Sequence, residues 1–373
     1  MRKISIIIAL LSAAFTTYAA DTVSYRVNRI ENWAFYGTQS PKVELVAFNG
    51  RGIPKDMDLK CTISDYKGKP LYELGQTGQI SPKDSLSMAF TFKALSPGFY
   101  NASFTGNGAV VKSFNIAYEP EKIIAEEPSY DKPAVSKGNF PLLLLQIRDE
   151  LQQMQRNFTM VKNKMLSGRE KNVYDITILS RGGETINGYA AFPKGKTNLK
   201  AMITLVPVQL KQANPLADFT TVPQMAEFVI YIGERGQSEE YFKNLLSDVA
   251  LCVEFVAGRR EIDGNSIYMQ GDGKAAPLAL VASAVNRKVR MSFISNPDFS
   301  HFLESYNPHS IAAEIKVPVL WGMGLQDSIE RVQQNFLVYN NLECVKEYII
   351  FPDKSAVERK KWRYMRDTFI IRQ

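Results

Sequence analysis

Histidine and cysteine are scarce in this chain of 373 residues, which contains two histidines and three cysteines. Cys61, Cys252 and Cys344 are odd in number and far apart, without the close spacing of metal ligands. We therefore predict small buried thiols instead of disulfides. The pattern offers no metal site, and we expect no cofactor.

Long apolar runs are also missing, except at the N-terminus. Two basic residues at positions 2 and 3 precede an apolar run over residues 4–15, and Ala19 and Ala20 follow. This three-part pattern is typical of a secretory signal peptide. The run is shorter than the roughly 20 residues that span a bilayer. We predict cleavage of residues 1–20, no transmembrane segment after signal cleavage, and a periplasmic or secreted protein.

A strong charge of either sign is absent as well. The 45 Lys and Arg residues outnumber the 38 Asp and Glu residues, which gives a formal net charge of +7. Nucleic-acid binding needs a clustered basic surface, so this balance predicts no nucleic-acid partner. The length fits about two domains.

Residues 21–118 contain short stretches in which apolar and polar residues alternate, broken by turns such as Asn49-Gly50 and Ser96-Pro97-Gly98. Alternation with a period of two is typical of strands with one buried face. Several such strands predict an all-β, immunoglobulin-like sandwich. Polar residues and three prolines over 119–138 then indicate an interdomain linker.

A helix is predicted after the linker. Its apolar residues recur at alternating spacings of four and three from Ile147 through Leu151 and Phe158 to Met165. This spacing places them on one helical face. The stripe therefore predicts one continuous helix over this whole stretch, packed against the core.

Strands and helices alternate after residue 171. Buried strand candidates are separated by helical patterns, for example over 241–257 and 274–286. Strands separated by helices of this length predict a mostly parallel, doubly wound sheet that is covered on both faces. Residues 139–373 are thus predicted to form an α/β domain.

Three short segments of this domain each follow a predicted strand. They are Arg235-Gly236-Gln237, the turn Gly271-Asp272-Gly273-Lys274-Ala275, and Gly324-Leu325-Gln326-Asp327. Together they resemble the acetyl xylan esterase and cephalosporin-C deacetylase family of carbohydrate esterases. The resemblance implies an α/β-hydrolase fold and hydrolysis of acetyl esters by a serine, a histidine and an aspartate.

The nucleophile that the resemblance implies is missing. The family's serine lies in the middle of a small-x-Ser-x-small turn, where crowded backbone excludes larger side chains two positions away. Here Gly271 and Ala275 are the small residues, so the serine position falls on Gly273. Asp272 is the alternative nucleophile, but that register puts two long side chains at the crowded positions.

The base and the oxyanion donors are in doubt for similar reasons. The family's histidine position falls on Ala356 or Val357, depending on which flanking residue anchors the comparison, and neither side chain accepts a proton. The loop of the oxyanion donors reads Val206-Pro207-Val208-Gln209, and proline has no backbone N–H. The family's acid corresponds to Asp327, which either holds a loop by accepting N–H bonds or faces solvent.

The resemblance also implies a retained pocket. Its candidate residues are Asp272, Lys274, Arg235, Gln237 and His301. Arg235 is expected to form a buried ion pair that ties its loop to the sheet. His301 is a candidate substitute base for Ser295 or Ser300, whereas His309 beside Pro308 indicates a surface turn.

The C-terminal residues 358–372 are basic, with Trp362, Met365 and Phe369 on one face of a predicted helix. This pattern predicts a charged outer face above a packed inner stripe. Binding to a membrane surface is the alternative.

Three functions follow from the sequence. The first is a non-catalytic pseudo-esterase of the cell envelope that binds a polysaccharide or an envelope protein. The second is a carbohydrate esterase or deacetylase that hydrolyses acetyl esters with an altered site, using His301 or Asp272. In the third, the sandwich is the functional part and the α/β domain is its scaffold.

Overall fold

The structure is a computed structural model. It describes residues 23–28, 33–40, 42–92, 96–123, 138–154, 157–180, 183–211, 225–233, 239–300 and 306–372. The predicted signal peptide and most of the predicted linker lie outside these ranges, as do Arg235, Gln237 and His301. The predictions that concern them stay predictions.

The N-terminal part of the described chain is all-β. Its strands are β1 Val23–Asn28, β2 Ala34–Phe35, β3 Lys42–Asn49, β4 Lys55–Asp65, β5 Pro70–Ile80, β6 Ser85–Thr91, β7 Gly98–Gly106 and β8 Ala109–Tyr118. They form a three-stranded sheet in the order β1-β3-β6 and a five-stranded sheet in the order β2-β8-β7-β4-β5. The alternation along β3, with Val43, Leu45 and Ala47 buried, shows why these sequences form strands with one face inward.

The two sheets share one core. Phe90 on β6 meets Phe104 on β7 edge to face, with ring centroids 5.1 Å apart. At the start of β7, the Tyr100 hydroxyl donates a hydrogen bond to the carbonyl oxygen of Ser96. These described strands form two sheets without a helix between them, and the immunoglobulin-like sandwich domain stays a prediction.

The second part of the chain has mixed α/β structure. Its strands are β9 Phe158–Asn163, β10 Lys171–Leu179, β11 Thr185–Pro193, β12 Leu199–Pro207, β13 Met225–Ile232, β14 Ile262–Asp272, β15 Val289–Ser295, β16 Val319–Gly324 and β17 Lys346–Phe351. Its helices are α1 Phe140–Gln153, α2 Glu239–Ala257, α3 Ala275–Val285, α4 Pro308–Ala313, α5 Ile329–Asn341 and α6 Arg359–Arg372. None of the described helices combines the length and apolar character of a membrane span.

The strands form one sheet in the order β17-β16-β15-β14-β12-β13-β11-β10-β9. The neighbours from β13 to β17 pair in parallel, whereas β9, β10 and β11 pair antiparallel at one edge. Helix α3 is buried along its whole length and packs on β14 and β15. On the opposite face, Trp362 and Phe369 of α6 pack with Met291 and Leu320. The predicted parallel sheet, covered on both faces, is confirmed.

The helix prediction after the linker is wrong beyond Gln153. Helix α1 ends there, and Phe158–Asn163 form strand β9. Phe158 contacts Phe255 of α2 with ring centroids 5.0 Å apart, while Met165 is 95% exposed. The apparent stripe therefore joins two unrelated elements.

The cysteines are unpaired, as predicted, and two of the three are buried. Cys61 and Cys252 lie in the cores of the sandwich and the α/β domain, and Cys344 is half-buried. Burial raises the pKa of the Cys61 thiol to about 12, so it stays protonated at neutral pH.

An amide clamp between Asn115 and Gln326 joins the two domains. The Gln326 Oε1 atom accepts from the Asn115 backbone N–H at 2.9 Å, and Gln326 Nε2 donates to the Asn115 carbonyl at 3.0 Å. In return, Asn115 Nδ2 donates to the carbonyls of Leu325 at 2.9 Å and Asp327 at 2.7 Å. Gln326 thus pairs with β8 as a neighbouring strand would, which covers part of an open sheet edge.

Further contacts extend this interface. Asn340 Nδ2 on α5 donates to the carbonyls of Pro120 at 3.0 Å and Ile123 at 2.8 Å. Phe99 of the sandwich meets Phe336 of α5 with ring centroids 5.1 Å apart. The sandwich is therefore held against the loop after β16 and against helix α5.

Candidate functional site

A cavity of about 320 Å³ opens at the carboxyl ends of the parallel strands. Its walls come from the last residues of β12, β14 and β15, from the loop after β17, and from helix α6. In a doubly wound sheet this edge is where ligands bind, because loops and helix termini converge there. The cavity contains several of the residues that the sequence singled out.

The turn after β14 has its tip at Gly273. This residue has φ +56°, and a Cβ built on it would meet nothing within 4 Å. A Cβ on Gly271 would instead lie 2.5 Å from the Ala275 carbonyl oxygen. This crowding two residues before the tip is what the steric argument required, so the geometry favours Gly273 over Asp272 as the nucleophile position.

Backbone hydrogen bonds hold the turn in place. The N–H of Gly273 donates to the Ser295 carbonyl at 3.0 Å, and the N–H of Asp298 donates to the Gly273 carbonyl at 3.0 Å. The turn is thus fixed to the end of β15 and to the loop beyond it. It presents open space where the family's turn would present a hydroxyl.

Asp272 lies in the cavity beside Ser295. The Ser295 hydroxyl donates a hydrogen bond to Asp272 Oδ1. Although the carboxyl reaches the cavity's solvent, the surrounding protein desolvates it and raises its pKa, against the lowering effects of the Ser295 bond and of the nearby Arg359. The pair has a carboxylate and a hydroxyl, but the described residues around the cavity include no imidazole.

The loop after β17 brings Ala356 and Val357 to the cavity. A Cβ on Gly324 would lie 2.5 Å from the Ala356 backbone nitrogen, so this loop packs directly on the end of β16. Both candidate histidine positions therefore lie at the cavity, and both carry aliphatic side chains. His309 is exposed at the start of α4, as the neighbouring Pro308 indicated.

Asp327 holds the loop that leads into α5. Its carboxylate accepts a hydrogen bond from the Ser328 backbone N–H at 2.8 Å and another from Arg331 at 2.9 Å. It is not among the described residues that line the cavity. This agrees with the predicted loop-holding role. Lys274, exposed at the start of α3, does not line the cavity either.

The segment after β12 forms the opposite wall. Pro207 ends β12, and Val208–Leu210 form a single 3₁₀ turn, with Pro207 and Leu210 facing the cavity. A proline supplies no N–H to an oxyanion. The wall is therefore largely apolar.

Three arginines of α6 line the cavity, and none of them was among the residues predicted from the sequence. Arg359, Arg363 and Arg366 are spaced by four and three residues, so they lie on one helical face. The prediction that α6 has only an outer charged face is wrong for Arg366, which is 1% exposed. The Arg366 guanidinium donates to Gln270 Oε1 at 2.9 Å and to Asp367 Oδ1 at 2.8 Å. The spacing of the arginines could have indicated this face from the sequence. The prediction instead followed the apolar residues of the same helix, which indicated a packed inner stripe.

The described side chains form no group of three or more His, Cys, Asp or Glu residues that could hold a metal ion. No protein-family model matches the sequence, and a comparison with curated proteins gives no match.

Solved structures do match. The acetyl xylan esterase from Paenibacillus sp. R4 is similar with a TM-score of 0.54 and 17% identity, over 64% of this chain and 96% of that chain. Acetyl xylan esterase 1 from Thermoanaerobacterium sp. JW/SL YS485 is similar with a TM-score of 0.54 and 15% identity, over 66% of this chain and 99% of that chain. With the sheet order and the turn at Gly273, these likenesses show that the chain carries the α/β-hydrolase fold found in acetyl xylan esterases.

Proposed function

We propose that this protein is a non-catalytic member of the acetyl xylan esterase-like hydrolases and that it binds a carbohydrate in the cavity at the turn after β14. The proposal rests on two observations: the turn tip is a bare Gly273, next to Asp272 of the cavity wall, and the candidate base positions at the cavity are Ala356 and Val357. These observations support a hydrolase-like site that lacks the groups that react.

The chemistry of ester hydrolysis supports this conclusion. A serine mechanism needs a hydroxyl to attack the carbonyl and an imidazole to move the proton. Loss of one oxyanion donor alone typically costs about 100-fold in rate, and loss of nucleophile and base costs far more. Because Gly273 supplies no hydroxyl and Pro207 no N–H, we expect no turnover of acetyl esters.

The cavity itself supports binding. Its volume of about 320 Å³ lies within the range of small-ligand sites, and it combines apolar walls with a few polar groups. A cavity of this size at the carboxyl edge suits one sugar unit of a longer chain. An envelope protein in the same cleft is the alternative ligand.

The proposal is tested with hydrolysis and binding assays on the intact chain. We expect 4-nitrophenyl acetate and acetylated xylo-oligosaccharides to be hydrolysed at the background rate. We expect xylan-derived oligosaccharides to bind in isothermal titration calorimetry. Turnover above background that disappears in Asp272→Asn would contradict the non-catalytic proposal.

An altered-site esterase is the second candidate. The hydrogen bond from Ser295 to Asp272 supports it, because a carboxylate can act as a base toward a hydroxyl. It predicts that Ser295→Ala and Asp272→Asn each abolish a measurable acetyl esterase activity, while Ser300→Ala, at a neighbouring serine that bonds to Asp298, leaves it intact.

We further infer that the chain is exported to the periplasm or secreted, because its first twenty residues have the pattern of a signal peptide. The sandwich fits an immunoglobulin-like domain, since the Tyr100 hydroxyl bonds back to the Ser96 carbonyl in the manner of a tyrosine corner. Reading the N-terminus of the mature protein by mass spectrometry tests the export proposal.

A further inference from the structure

The cationic face of α6 is open to the cavity. Arg363 is half-buried, and within the described ranges its guanidinium has neither a hydrogen bond nor an ion pair. Arg359 is exposed and acts on Asp272 only through the electrostatic field. Two guanidinium groups at one cavity are therefore available to a ligand.

The third arginine, Arg366, has a structural role. Arg366 is buried and uses its donors on Gln270 and Asp367. The bond to Gln270 ties α6 to the end of β14, one residue before Gly271. Arg366 thus fixes the helix that carries Arg359 and Arg363, and these two arginines face the cavity from a rigid element.

The charges at the cavity favour an anion. The described lining contains three arginines and one carboxylate, Asp272. Asp367 pairs with Arg366, and Ser295 occupies one oxygen of Asp272. The remaining excess is positive, so the cavity favours an anionic group of the ligand. A planar carboxylate also matches the two-pronged guanidinium fork.

The rest of the wall fits a sugar ring. Pro207, Leu210 and Trp362 supply apolar surface beside the arginines. Sugar rings have apolar C–H faces as well as hydroxyls, so an apolar wall next to a cationic face suits a ring that carries an acid group.

We propose that the cavity binds an acidic sugar, of the uronate class, through a carboxylate held by Arg363 and Arg359. This inference rests on the proposed carbohydrate-binding function and names the ligand class of the same site. It places the acid group of the ligand toward α6 and the apolar ring face toward the segment after β12.

The test compares three oligosaccharides of equal length by isothermal titration calorimetry with the full chain. They are a xylo-oligosaccharide with a glucuronic acid branch, its neutral counterpart, and a sulfated one. We expect the uronate ligand to bind at least about tenfold more tightly than the neutral one, and its affinity to fall as NaCl is raised. We expect the sulfated ligand to bind more weakly than the uronate.

Matched variants locate the site. Arg363→Gln should reduce uronate affinity by about tenfold and leave the neutral ligand unchanged, and Arg359→Gln should act in the same direction. Lys360→Gln removes the same charge from an exposed position of the same helix that does not line the cavity, so it should change affinity by less than about twofold. Equal thermal unfolding midpoints for the three variants confirm that they fold.

The outcomes separate the two proposals. Equal binding of neutral and uronate ligands overturns the acidic-sugar inference and leaves carbohydrate binding intact. Absence of binding by all three oligosaccharides overturns both. Equal binding of the uronate and sulfated ligands, or loss of uronate binding in Lys360→Gln as large as in Arg363→Gln, overturns the carboxylate site.

Discussion

Gly271 and Gly273 lie two residues apart in the same turn, and only Gly273 has room for a side chain. A Cβ at Gly271 would meet backbone atoms of Ala275 and Ala276 at 2.5 to 2.8 Å, whereas one at Gly273 would meet nothing within 4 Å. The turn therefore keeps the steric pattern of a nucleophile elbow around a residue that cannot attack.

This contrast predicts different costs for the same substitution. Gly271→Ala should lower the free energy of unfolding by about 3 kcal/mol, because backbone must move to admit the methyl group. Gly273→Ala should cost only about 1 kcal/mol, from its left-handed φ of +56°. Urea unfolding at neutral pH measures both.

Gly273→Ser serves as a further variant of the same position. It should fold as Gly273→Ala does and still hydrolyse 4-nitrophenyl acetate at the background rate, because Ala356 and Val357 supply no base. Equal costs for the Gly271 and Gly273 substitutions would contradict the assignment of the tip.

The steric part of the site could be predicted from the sequence because it is local. Five consecutive residues, 271–275, determine which position is crowded, and the order of small residues is visible in the sequence. The arginines at the cavity could not be predicted in this way. Arg359 and Arg363 reach it only because α6 packs on the sheet face opposite α3, which is a tertiary relationship.

The amide clamp predicts a large effect for a half-exposed residue. Gln326→Ala should lower the free energy of unfolding by about 2 to 4 kcal/mol, because it leaves the N–H and carbonyl of Asn115 without their partners. Chemical denaturation of the full chain measures this.

Gln79→Ala is the matched control. Gln79 is exposed on β5 and bonds to Asp56, so its loss should cost no more than about 0.5 kcal/mol. A Gln326 variant as stable as the Gln79 variant would show that the clamp contributes little.

Because the pKa of Asp272 is raised, removal of its carboxyl should increase the stability of the fold in a pH-dependent way. Because its folded-state pKa lies above its unfolded-state value, ionisation of Asp272 lowers stability as pH rises through that interval. Asp272→Asn should therefore be more stable than the wild type at pH 7. The gain should vanish below about pH 4, where the carboxyl is protonated in both states.

Asp263 provides a control of opposite sign. Its pKa is lowered, first by the hydrogen bond from Ser266 and then by the Asn265 backbone N–H. Asp263→Asn should therefore destabilise the protein at neutral pH, and this loss should shrink as pH falls through the lowered folded-state pKa. The same sign for both variants in urea titrations at several pH values would contradict the two shifts.

The loop-holding role of Asp327 predicts a small coupling with Arg331. The pair is partly exposed at a separation of four residues, so a double-mutant cycle with Asp327→Ala and Arg331→Ala should give about 0.5 kcal/mol. Neither variant should change ligand affinity. A coupling above about 2 kcal/mol, or a loss of ligand binding, would assign Asp327 a larger role.

The error in the first helix has a physical cause. Spacings of four and three from Ile147 to Met165 continue across the end of α1, but Phe158 and Met160 also alternate with exposed residues as strand residues do. From the strand, the ring of Phe158 packs against Phe255 of α2. A periodic pattern across 19 residues therefore did not decide between one helix and a helix followed by a strand, because packing on α2 made the choice.

Hydrogen bonds across the interface should hold the two halves together without the covalent link. They join Asn115 to Gln326, and Asn340 to the carbonyls of Pro120 and Ile123. A protease cut between residues 124 and 137 should yield two fragments that co-migrate in gel filtration as a nicked complex. A truncated version of either half would expose the surface that packs against the other half, so the binding and stability experiments are best done on the full chain.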